Sequence, residues 1–198
     1  CAVKMRRFPE SQRLDHVCAR DELSPAHLSG LARVVVDFHA QAAVAGQKTP
    51  FGEPEQVLAA ALENFTELFT LLPAATPQLE RLERWTRHEF ARIRPALAAR
   101  KAAGRVRECH GDLHLGNLVL LDGHVRPFDC IEFNDDFRWI DVASELAFTY
   151  VDLLDHKQPR LAAWLLNAWL AEAGDFEAVP VLRFYAVYKA MVRAKVAG

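Results

Sequence analysis

Residues 110–117 read HGDLHLGN, setting two imidazoles, one carboxylate, one carboxamide and two glycines in eight positions. So many turn-forming residues in so short a stretch predict a loop rather than a regular helix. Working outward, the next run, NLVLL, is followed by Asp122-Gly123 and then by VRPFD, residues 125–129. Asp-Gly between two apolar runs predicts a β-hairpin. Because a hairpin brings its two ends together, Asn117 and Asp129 are expected to be near neighbours. Asp112 sits close by on the loop.

Those residue types suit one kind of chemistry. An amide oxygen and a carboxylate are hard donors of the kind Mg²⁺ takes, and Mg²⁺ shares its shell with phosphate oxygens. The second carboxylate, Asp112, is placed to accept a hydrogen bond from an attacking hydroxyl. A base that orients the nucleophile, with an amide and a carboxylate for the metal on ATP, is the set of parts used in phosphoryl transfer.

The D-x-x-x-x-N spacing of Asp112 and Asn117, with Asp129 following, is similar to the catalytic loop and metal-binding Asp of protein kinases. HGDLHLGN resembles the aminoglycoside phosphotransferase and choline kinase branch. VRECHGDLHLGNLVLLDG, FDCIEFN and WIDVASELAF together resemble a bacterial subgroup of uncharacterised phosphotransferase-like proteins. The resemblance runs from Ala2 to about Val196 and is densest between Val106 and Phe148.

The resemblance implies an α+β, mostly helical fold: the C-terminal lobe of a protein-kinase-like domain, with a small β-hairpin carrying the site. Residues 1–198 then form a single domain. Residues 1–23 are a remnant of the N-terminal lobe, and 24–198 a helical C-lobe with the catalytic loop and hairpin at 105–130. It implies Asp112 as catalytic base, Asn117 and Asp129 as Mg²⁺ ligands, and His110 as a scaffold residue of the loop. Asp141 would brace the catalytic loop from the following helix, and Lys4 would pair with the α- and β-phosphates of ATP. The expected partners are a nucleotide and a small-molecule hydroxyl acceptor. In some members of the subgroup a P-loop kinase-like domain follows, so one can be fused to this domain in the parent protein. None of the nine glycines forms a phosphate-covering loop. With the abrupt opening CAVKMRRFPE, this leads to the expectation that residues precede Cys1 and that the isolated chain lacks its ATP roof.

Elsewhere the pattern is helical. Ser24-Pro25 is an N-cap followed by proline in the first turn. Leu28, Leu31, Val35, Phe38 and Ala42 continue from it as one stripe, closed by Gly46. A third helix carries Val57 to Leu72 and a fourth begins at Thr76-Pro77, with a kink expected at Pro95 before Gly104 ends it. WIDVASELAFTYVDLL, PRLAAWLLNAWLAEAG and VLRFYAVYKAMVRAKV read as three more helices. The four tryptophans are expected in the core.

Composition narrows the partners. Of 198 residues, 51% are hydrophobic and 25% charged, and the net charge of −2 argues against nucleic acid or an anionic membrane as partner. No run approaches the roughly 20 apolar residues of a membrane span. Four unevenly spaced cysteines suggest reduced thiols and a cytoplasmic location. Cys109, His110, His114 and Cys130 are zinc-type ligands, yet their spacing fits no known zinc scheme. Two other functions remain open at this level. One is a kinase-like binding or regulatory module that no longer catalyses. The other is a metal-dependent phosphoesterase, which would need more clustered ligands than this chain offers.

Overall fold

A computed structural model describes residues 7–197. Lys4 and the expected opening strand lie outside them. A short 3-10 turn, Glu10–Gln12, leads into helix α1 (Leu14–Ala19). Helices α2 (Pro25–Gln41), α3 (Pro54–Leu71) and α4 (Thr76–Ala102) follow. Four short strands come next: β1 (Val106–Glu108), β2 (Leu118–Leu121), β3 (His124–Pro127) and β4 (Trp139–Asp141), with the one-turn helix α5 (Asp135–Arg138) before β4. Helices α6 (Val142–Asp155), α7 (Pro159–Ala173) and α8 (Val179–Ala197) complete a mostly helical molecule with two small antiparallel sheets. Among the described residues, no single helix is long and apolar enough to cross a membrane.

Local chemistry explains the boundaries. At α2 a reciprocal cap forms: Ser24 Oγ accepts from His27 N–H at 3.4 Å, and Ser24 N–H donates to His27 Nδ1 at 3.3 Å. The helix ends at Gln41, short of the expected Gly46, because Ala42 turns extended and the chain runs on beside β1. There Ala45 N–H donates to the Val106 carbonyl and Glu108 N–H to the Ala43 carbonyl. Phe38, expected on the buried stripe, is 43% exposed; His39, one residue on, turns inward instead. Helix α4 runs unbroken through Pro95. Residues 139–141, expected to open a helix, pair as β4 with β1, so α6 starts only at Val142.

The core lies where α6 packs on α7 and α8, α7 on α2, and α3 on α4 and α8. Trp169 and Phe184 are fully buried within it, whereas Trp164 is half exposed and only its indole N–H is held, by Ser29 Oγ. The hairpin of β2 and β3 turns at Asp122-Gly123, both with positive φ as a two-residue hairpin requires. It packs against α1 and α2. The loop at residues 109–117 is thereby suspended between β1, the hairpin and the start of α6.

Candidate active site

Helix α6 holds that loop at three successive levels. Both oxygens of Glu145 are engaged: Oε1 accepts from His110 N–H and Oε2 from Gly111 N–H, each at 2.8 Å. Thr149 donates its hydroxyl to the Leu113 carbonyl. Asp152 Oδ2 accepts from Leu115 N–H at 2.8 Å, while its Oδ1 faces the Arg193 guanidinium at 3.0 Å as an ion pair without hydrogen-bond geometry. Residues 145, 149 and 152 lie on one face of a helix, and all three are buried. Leu113 and Leu115 point into the core between these bonds. Gly111 has φ +88°, and an added Cβ there would meet the Phe137 carbonyl oxygen at 2.7 Å.

The alternate residues of the loop face outward and organise Asp112. Asn117 Nδ2 donates to both the backbone oxygen of Asp112, at 3.0 Å, and its Oδ2, at 2.9 Å. His114 Nδ1 accepts from Gly116 N–H at 3.0 Å, which puts the ring proton on Nε2, 3.4 Å from Asp112 Oδ2. Partial burial would raise the Asp112 carboxyl. His114, the nearby Lys189 charge and the Asn117 amide outweigh that and hold it below the usual range.

The hairpin brings Asp129 to the same place. Phe128 N–H donates to the Asn117 carbonyl at 3.0 Å, next to the Leu118–Pro127 pair, and Asp129 follows directly. His110 ties the two segments together: its Nε2–H donates to the Phe128 carbonyl at 2.8 Å and its Nδ1 accepts from Asp112 N–H at 3.3 Å. Asp129 is exposed and has φ +60°, a left-handed conformation that non-glycine residues adopt at a cost.

A cavity of about 1150 Å³ opens over this arrangement. Asp112 and Asp129 line one wall; Asn64 of α3, Phe148 of α6, and Tyr188 and Lys189 of α8 line others. Asn117 stands behind Asp112 rather than on the cavity wall.

Asp141 does not brace the loop. Its carboxylate is gripped by Arg100 at 2.7 and 2.8 Å, accepts from Ala143 N–H as the cap of α6, and lies 3.3 Å from the Tyr185 hydroxyl. The bracing carboxylates are Glu145 and Asp152, one and three turns further along. A zinc cluster does not form from Cys109, His110, His114 and Cys130. Both histidines are spent inside the loop, and Cys130 is exposed. Cys109 lies instead with His39 and Glu145, their ligand atoms within 4.8 Å of one another, and the Glu145 oxygens are already taken by the loop amides.

Glu145 and Lys189 were both open to detection in the sequence. Glu145 lies three residues beyond Val142 and one before Leu146, on the apolar stripe of α6. Lys189 recurs four residues after Tyr185 on the stripe of α8. A charge on a stripe otherwise destined for the core is a sign of specific use.

Residues 5–185 match the model of the phosphotransferase enzyme family. Uncharacterised proteins of Mycobacterium bovis and of two strains of Mycobacterium tuberculosis are 30% identical over 197 residues, 98% of this chain and 39% of each of theirs. The chain thus spans about two-fifths of the length of the curated relatives it matches. No solved structure matches it.

Proposed function

This chain belongs to the phosphotransferase enzyme family, and on that premise we propose that it transfers the terminal phosphoryl group of ATP, with Mg²⁺, to a hydroxyl of a small-molecule acceptor held in the cavity. The observation that carries the reading is that one loop and one hairpin bring Asp112 and Asp129 to the lining of one cavity, with Asn117 bonded to Asp112 behind it. The helical body is read as the C-terminal lobe of a kinase-like fold.

Asp112 accepts the hydrogen bond of the acceptor hydroxyl, aims its oxygen, and takes its proton as the new bond forms. Its low pKa suits orientation more than strong proton abstraction, and phosphoryl transfer depends chiefly on positioning and charge stabilisation. The donor set fits magnesium. Asn117 spends its amide nitrogen on Asp112, leaving its amide oxygen without a protein donor among the described residues. Asp129 is exposed one residue beyond Phe128, whose N–H meets the Asn117 carbonyl. When bound, the ion would neutralise phosphate charge. Lys4 is proposed to meet the α- and β-phosphates.

The test is ATP consumption against a panel of hydroxyl acceptors, followed by ³¹P NMR of the product. Asp112→Asn should lower kcat by roughly 100-fold or more with the unfolding temperature unchanged. Full activity in that variant would rule out the assignment of the base.

A further inference from the structure

Helix α8 packs an apolar face against α6, α3 and α4, yet sets a lysine into it. Lys189 is 6% exposed. Its ammonium lies 4.9 Å from the centre of the Phe148 ring and 5.4 Å from that of Tyr188. The rings fix its position but carry no countercharge. Among the described residues it makes no hydrogen bond or ion pair. Lys101 is as deeply buried and shows the ordinary solution: its ammonium is held by Glu53 Oε1 at 2.7 Å and the Thr49 carbonyl at 2.6 Å. A buried charge left without such partners is costly, and where one is kept it has a use outside the fold.

The surroundings say what that use is. The ammonium opens into the cavity that Asp112 and Asp129 also line. Of the other cations near that space, Lys195 pairs with Glu67 at 3.1 Å and the His114 ring is consumed by Gly116 and Asp112; Arg7 lines the cavity too, but as an exposed residue ahead of the Glu10–Gln12 turn rather than from the buried helical wall. Lys189 feels the charges of Glu145 and Asp112, which offset part of the cost of burial but do not contact it. The loop and the end of the hairpin therefore present two carboxylates, Asp112 and Asp129, to the cavity and no free positive charge of their own. Any phosphoryl or carboxylate oxygen entering there would meet repulsion unless a cation came from another element.

We propose that Lys189 is an anion-binding residue of the cavity, supplied from its buried helical wall. Its ammonium takes an anionic oxygen carried either by the phosphoryl group in transfer or by a carboxylate or phosphate on the acceptor. The assignment rests on the phosphotransferase reading for the origin of its anion, but it can be tested without turnover.

Calorimetry on the wild-type chain, Lys189→Met and Lys189→Arg would use three probes. These are Mg²⁺–ADP, a non-hydrolysable Mg²⁺–ATP analogue, and inorganic phosphate added to protein already saturated with the analogue. Loss of a charged hydrogen bond should weaken one of the last two by roughly tenfold in Lys189→Met, with Lys189→Arg close to wild type and Mg²⁺–ADP unaffected. A loss confined to the ATP analogue identifies the transferred phosphoryl group as the source; a loss confined to added phosphate identifies the acceptor. Unchanged affinities for both in Lys189→Met would overturn the assignment while leaving the phosphotransferase reading intact. The measurements are made on the full-length parent protein, and its failure to bind any of the probes would overturn both. Side-chain ¹⁵N NMR of Lys189 in the wild-type chain gives the same answer should the Met variant not fold: its signal should shift as a probe is added, and a static signal would count against the proposal.

Discussion

Glu145 Oε2 accepts the backbone N–H of Gly111 at 2.8 Å, across 34 residues of sequence, and the carboxylate is buried. Its other oxygen holds His110, so one buried carboxylate fixes the peptide units immediately before Asp112. In Glu145→Gln one of the two acceptors becomes a donor facing an N–H. This should cost about 1–3 kcal/mol in urea unfolding and speed amide exchange at His110 or Gly111. Activity should fall with it, through the displaced base.

The same group shapes the acid limb of stability. Burial would raise the Glu145 carboxyl, but His39 and the two loop amides outweigh it, so it lies below its ordinary 4.5 in the folded chain. A folded-state pKa below the unfolded one contributes stability that is present above about pH 4.5 and is lost as pH falls through the folded value. Asp112 acts in the same direction below its ordinary 3.8. Unfolding free energy measured from pH 7 to pH 3 should therefore drop most steeply at the acid end, and less steeply in Glu145→Gln. Asp112 is ionised throughout the neutral range, so kcat/KM should show no acid limb from it between roughly pH 5 and 8.

Asp129 separates binding from folding. Its side chain is exposed and its backbone sits at φ +60°, where glycine is unstrained. Asp129→Gly should remain within about 1 kcal/mol of the parent in stability. It should nonetheless raise the Mg²⁺ concentration needed for half-maximal activity by roughly tenfold or more. A magnesium titration beside a thermal melt reads both.

Asp141 belongs to a buried charge cluster in which Arg100 is clamped between it and Asp175, at 2.7–2.8 Å on each side. Asp141→Ala leaves a buried guanidinium half paired and uncaps α6. A loss of about 3–5 kcal/mol is expected in denaturant unfolding. Activity per folded molecule should survive far better than in Asp112→Asn, because Asp141 touches neither the loop nor the cavity beside Asp112.

Features decided within a few residues could be read from the sequence. The Asp122-Gly123 hairpin, the Ser24-Pro25 cap and the Asp112–Asn117 spacing each rest on local backbone chemistry, and all three appear in the fold. What could not be read depends on partners far away. Glu145 and Asp141 are four residues apart and both carry a carboxyl group; only the packing of α6 assigns one to the loop and the other to Arg100. Strand β4 is three residues long, too short for period-two alternation to register, and its pairing with β1 overrode the helical pattern around it. Phe38 and His39 differ by one position on the helix, and the carboxylate of Glu145 drew the histidine inward.

The three attachment points along α6 give the loop a single fate. Leu113 and Leu115 are locked between them, so no peptide there can swing out while its neighbours stay fastened. The amides of His110, Gly111 and Leu115 should accordingly exchange with solvent at one common rate, as a unit that unlatches all at once. So fastened, this stretch is excluded as a hinge.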